Sequence, residues 1–113
     1  MKLSEAILKG CQTTKPLRGN YIIRLDKDID VVWACSLGAA AIGAGYNIGK
    51  YDINDQTSVS DFIDENIDYE IAYFSCPECI LCHVSIFTLV THLNDIHNWP
   101  RETIAEYIAE KGY

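Results

Sequence analysis

Cys76, Cys79, His92 and His97 stand in the order C-x2-C-x12-H-x4-H. Two cysteines separated by a two-residue turn bring their sulfurs to one point. Two histidines five positions apart on a helix can turn their rings to that same point. Two thiolates and two imidazoles are the ligand set of a tetrahedral structural zinc site. Four protein ligands close the coordination shell and leave no position for a reactive water, so the pattern predicts structural rather than catalytic zinc. A site of this kind contributes ~10–16 kcal/mol of binding energy to the folded state.

The neighbourhood adds alternatives. Cys82 follows Cys79 at the spacing by which Cys79 follows Cys76, and His83 adjoins it; either could replace one of the four ligands. Asn94 and Asp95 lie between the two histidines, where they could orient an imidazole from behind the metal or cap the following turn. Leu89, three before His92, holds the place of the apolar residue that packs under such a metal; the position four after Cys79, commonly aromatic, is His83. A finger helix reading DNA would present Ser85, Thr88 and Thr91 to base edges. None is an Arg, Lys, Asn or Gln, so bidentate base contacts are absent.

Charge points the same way. Residues 51–100 contain nine Asp/Glu and no Lys or Arg, whereas residues 1–50 contain seven Lys/Arg and four Asp/Glu; the 113-residue chain has a formal charge of −7. A segment without cations cannot neutralise phosphates, which argues against duplex DNA. Lys15, Arg18 and Arg24 in the first half are the candidates for contacting an anion. Asp26, Asp28 and Asp30 imitate the start of a calcium loop, but Val31 stands where glycine is required. Ala44 to Lys50 imitates a phosphate loop but continues with Tyr51, not Ser or Thr. No Ser–His–Asp or Cys–His pairing stands out, and the reading is non-enzymatic.

The elements that must position these residues are short. Hydropathy and stop signals predict helices over residues 4–9, 31–44, 58–65, 86–96 and 100–110, and strands over 21–25 and 69–74. Gly10 and Gly45 are read as helix stops, and residues 13–20 and 46–57 as loops. The Gly/Ala-rich stretch after Val31 is too short for a membrane span and suits a buried helix against which another element packs closely. The expected fold is one small α+β domain over residues 1–113, mainly short helices with one or two short strands, whose residues 76–97 form a zinc-finger-like segment. The N-terminus has no secretory pattern, so the expected location is cytoplasmic.

The tail His92-Leu93-Asn94-Asp95-Ile96-His97-Asn98-Trp99-Pro100-Arg101-Glu102-Thr103-Ile104-Ala105, after Cys76-Pro77-Glu78-Cys79, resembles a family of small proteins of tailed phages and prophages. These end in H-L-N-D-x-H-x-W-x-R-E-x-I-A after a C-P-x-C turn. Leu3-Ser4-Glu5-Ala6-Ile7 and Cys35-Ser36-Leu37-Gly38-Ala39-Ala40 are similar to segments of the same family. The resemblance implies a phage origin and expression in the host cytoplasm, and it carries no settled function. The expected role is an accessory protein that engages a host or phage protein through its acidic middle. The alternative is a binder of a small nucleotide signal in countering host defence, and a metal hydrolase would need an open zinc position beside Glu78 or Asp95.

Overall fold

A computed structural model describes residues 1–24, 31–48, 56–69 and 72–113. The aspartates of the calcium-loop imitation, the Gly-Lys pair of the phosphate-loop imitation, Lys27, and parts of the expected strands at 21–25 and 69–74 lie outside the described residues. The elements run α1 (Leu3–Cys11), β1 (Lys15–Pro16), β2 (Ile22–Ile23), β3 (Trp33–Ala34), α2 (Ser36–Gly43), α3 (Gln56–Asn66), α4 (Ile86–Asp95) and α5 (Arg101–Glu110). The result is the expected small α+β domain. No described helix is long and apolar enough to cross a membrane.

α1 and α2 pack backbone to backbone. A Cβ built on Gly10 would lie 1.7 Å from the Ala39 carbonyl oxygen, and one on Gly43 would lie 2.0 Å from that of Ala6. Gly10 therefore does not stop α1. It lies inside the helix, which continues to Cys11, and its missing side chain is the contact. Leu3, Ala6 and Ile7 on α1 and Ala39, Ala40 and Ala41 on α2 are fully buried around this junction.

α2 begins at Ser36, five residues later than the composition suggests. Val31 and Val32 lie outside regular structure, and Trp33 and Ala34 form β3, the central strand of a three-stranded sheet. β-branched and aromatic side chains suit extended backbone. β1 pairs parallel to β3, Lys15 opposite Trp33, and β2 pairs antiparallel, Ile22 opposite Ala34. Pro16, which has no N–H to give, occupies an edge strand, as it must. The Cys35 sulfur then caps α2 by accepting from the Gly38 N–H at 3.4 Å. Gly45 ends the helix as expected, with φ +106°.

Arg101 opens α5 and joins it to this sheet. The residue is buried, and its guanidinium donates to the Thr14 hydroxyl (2.7 Å), the Thr14 carbonyl (2.9 Å) and the Ala34 carbonyl (3.2 Å). Hydrogen bonds from a charged donor are worth about 1.5–3 kcal/mol each. At the other end of the helix the chain termini meet: Ser4 donates its hydroxyl to the Tyr113 carbonyl, and the N-terminal ammonium pairs with Asp68 at 3.1 Å.

Two outcomes follow from the α1–α2 junction and its cap. Gly10→Ala and Gly43→Ala each place a methyl group where a backbone carbonyl lies; each should cost about 3 kcal/mol or more in urea denaturation. Burial raises the Cys35 thiol from an ordinary 9.0 to about 11, against the opposing hydrogen bond from Gly38. Between these values the unfolded thiol loses its proton while the folded one keeps it, so the unfolded state binds fewer protons and stability falls as pH rises. Cys35→Ser, which retains a capping acceptor, should show a shallower loss of stability above about pH 9 in pH-resolved denaturation curves.

Candidate metal centre

The ligand-bearing segment is built from a short loop and the end of one helix. Phe74 and Val84 exchange backbone hydrogen bonds at 2.8 and 3.1 Å, and within that bridge Cys76 N–H donates to the Leu81 carbonyl at 2.7 Å. These bonds fold residues 76–81 into a tight knuckle. The Glu78 N–H points at the Cys76 sulfur, 3.4 Å away. Among the described residues of the expected strand over 69–74, backbone pairing is the bridge at Phe74; the isolated bridge between Lys2 and Asp68 falls just before it. Backbone pairing there goes to knuckle closure instead of a sheet.

α4 supplies the other half. Ser85 caps it, its hydroxyl accepting from the Thr88 N–H at 3.2 Å. Ile86, Leu89, Val90 and Leu93 are buried on one face. The helix ends at Asp95, and Asn98, with φ +54°, turns the chain out so that the Trp99 N–H returns to the Leu93 carbonyl at 3.0 Å. That exit holds His97 beside His92, their rings 4.7 Å apart and nearly perpendicular.

Cys76, Cys79, His92 and His97 converge, with one ligand atom of each within 4.8 Å of every other. The Cys79 sulfur lies 3.2 Å from His92 Nε2, which lies 3.0 Å from His97 Nε2. A tetrahedron with Zn–S of about 2.3 Å and Zn–N of about 2.0–2.1 Å sets its ligand atoms roughly 3.3–3.8 Å apart. The donor types fit: nitrogens of two imidazoles and sulfurs of two cysteines are gathered at one place. The cluster can hold a metal ion.

Cys82 and His83 are exposed and lie outside the cluster. His83 adopts φ +57° and stacks on Tyr73, centroids 4.1 Å apart and planes 11° from parallel. Leu89 is fully buried, as expected of the residue under the metal. Phe74, two before Cys76, is half-buried against the core and lies edge-on to Tyr113 at 5.5 Å.

Asn94 and Asp95 do neither of the things expected of them. Asn94 is buried, its Oδ1 accepting from the Ser36 N–H (3.0 Å) and hydroxyl (2.7 Å) and its Nδ2 donating to the Leu17 carbonyl (2.9 Å) and Asp95 (2.7 Å). Asp95 accepts from the Gly19 N–H at 3.2 Å. Both side chains are engaged within the fold and fasten α4 to the start of α2 and to the 17–19 loop. Lys15, Arg18 and Arg24 do not come together in a described cavity. Lys15 lies over the Trp33 ring, 5.6 Å from its centroid, beside a cavity of about 290 Å³ that neither arginine lines.

Compared with protein-family models, curated proteins and solved structures, the chain matches none.

The two faces of α4 separate in a mutational series read by elemental analysis and denaturation. Cys76→Ser and His97→Ala should each abolish metal retention, while Cys82→Ser and His83→Ala should keep one ion per chain. Asn94→Ala should keep the ion yet lose roughly 2–4 kcal/mol of stability, because it strands the Ser36 N–H and the Leu17 carbonyl.

Proposed function

We propose that the protein is a non-enzymatic binding domain whose C-terminal half is stapled by a structural zinc ion and which engages a protein partner. The observation that carries this reading is the convergence of two cysteine sulfurs and two histidine nitrogens within 4.8 Å. Two soft thiolates with two imidazoles in a tetrahedral arrangement suit zinc above the harder divalent cations. Four protein ligands give the ion a structural task, since no coordination position is left for water. Such a staple suits a chain this small, whose core alone supplies a modest margin of stability.

Surface chemistry supports the protein partner. Ile80, at the outer end of the knuckle, is 99% exposed, and Ile96, between the histidines, is 68% exposed. Apolar side chains displayed on a metal-pinned framework cost little further ordering on binding. α3 presents the exposed acids Asp61, Asp64 and Glu65, in keeping with the acidic middle as part of the contact. The resemblance of the tail sets this role in a phage accessory protein acting in the cytoplasm of its host.

The test is affinity capture from bacterial lysate with zinc-loaded protein, quantified by isotope-ratio mass spectrometry against the Cys76→Ser variant, with nucleotides as a parallel thermal-shift series. A partner enriched at least about tenfold by the zinc form, a difference of about 1.4 kcal/mol, is the expected result. A nucleotide that raises the melting temperature without any enriched protein would replace the reading with small-ligand binding.

A further inference from the structure

The buried face of α4 is matched by an open one. Thr88, Thr91 and Asp95 follow at helical spacing on the side away from Leu89 and Leu93, and they border a groove instead of a packed neighbour. A cavity of about 470 Å³ there is lined by the apolar Leu37, Leu81, Phe87 and Ile96 and by the candidate ligand His92. A second cavity, of about 220 Å³, adjoins it, sharing Tyr21, Thr91 and Asp95. Leu81 joins the groove to the knuckle, whose neighbouring Ile80 stands free in solvent.

The electrostatics of this groove are one-sided. Asp95 is its charged residue, no Lys or Arg lines it, and Glu78 lies on the adjoining knuckle. Leu81, Phe87, Thr91 and Asp95 all come from the fifty-residue stretch with nine acids and no base. An apolar floor with an acidic border complements a segment that presents apolar side chains flanked by cations. A second copy of this chain would bring a charge of −7 to the same surface, which opposes self-association.

We infer that the groove between α4 and the 19–21 loop is the docking site for a partner segment that is apolar on one face and carries lysine or arginine on its flanks. The inference rests on the protein-binding reading and names the surface and the partner chemistry. Helix α4 forms both this groove and half of the metal site, so the metal would fix the groove's shape before any partner arrives.

The test measures fluorescence anisotropy of a labelled amphipathic Leu/Lys peptide of about four helical turns against zinc-loaded full-length protein, with a Leu/Glu peptide as the matched control. The Leu/Lys peptide should bind saturably at one per chain and the Leu/Glu peptide should not. Thr91→Arg and Ile96→Lys, both at exposed positions, should each weaken binding by about tenfold or more. Glu106→Gln, which makes the same change in charge on exposed α5 outside the groove, should weaken it by less than about threefold. Equal binding of the two peptides, equal effects of all three substitutions, or groove variants that bind like the parent would each overturn the inference. So would a dimer in analytical ultracentrifugation that Thr91→Arg dissolves, since a second copy would then be the occupant. Zinc stoichiometry is measured for every sample: a zinc-free parent refutes the staple, whereas a fully loaded parent that ignores the peptide refutes the groove alone.

Discussion

The last two turns of α4 must satisfy two demands at once. His92 faces the cysteine knuckle, while Asn94, two residues on, is buried against the start of α2 with both ends of its amide engaged. Side chains two apart on a helix point to different sides, so one short segment can serve a metal and a protein interior simultaneously. Leu93 between them goes to the core. The spacing of these residues cannot change by one without losing the ligand, the core contact or the clamp. That constraint joins the candidate metal centre to the rest of the domain.

The N-terminal half depends on close approach rather than on bulk. α1 and α2 meet through glycine and alanine, which lets backbone touch backbone and gives up the large side chains that usually supply hydrophobic stabilisation. Polar contacts compensate. Arg101 ties α5 to the sheet and Asn94 ties α4 to α2, each by hydrogen bonds to backbone groups that burial would otherwise leave unpaired. A small domain with a slender core and several buried polar ties is one in which a bound metal would matter most for stability.

The same arrangement separates rigid from available surface. The knuckle is closed by backbone hydrogen bonds, and α4 is held by the core on one side. Beside them, the groove along Thr91 and Asp95 and the two isoleucines near the candidate ligands are open. A preformed apolar surface on a fixed frame loses little entropy when it binds, and no Lys or Arg is among the residues lining this one.

The four-residue cluster that could hold a metal was legible in the sequence because metal coordination demands particular atom types at particular spacings, and both are written along the chain. The buried face of α4, the start of α5 and the stop at Gly45 were legible for the same kind of reason: periodicity and helix-end chemistry are local. Gly10 was misread as a stop, because a glycine looks the same whether it frees the backbone or admits a neighbour; only the position of Ala39 distinguishes the two uses. The late start of α2 was hidden because β3 forms only when β1 and β2 flank it. Asn94 and Arg101 were hidden more deeply, since their partners lie 58 to 87 residues away along the chain. Local chemistry, in short range, determined which atoms could hold a metal. Tertiary structure decided which neighbours serve the fold instead, because burial and long-range hydrogen bonding exist only once distant segments have met.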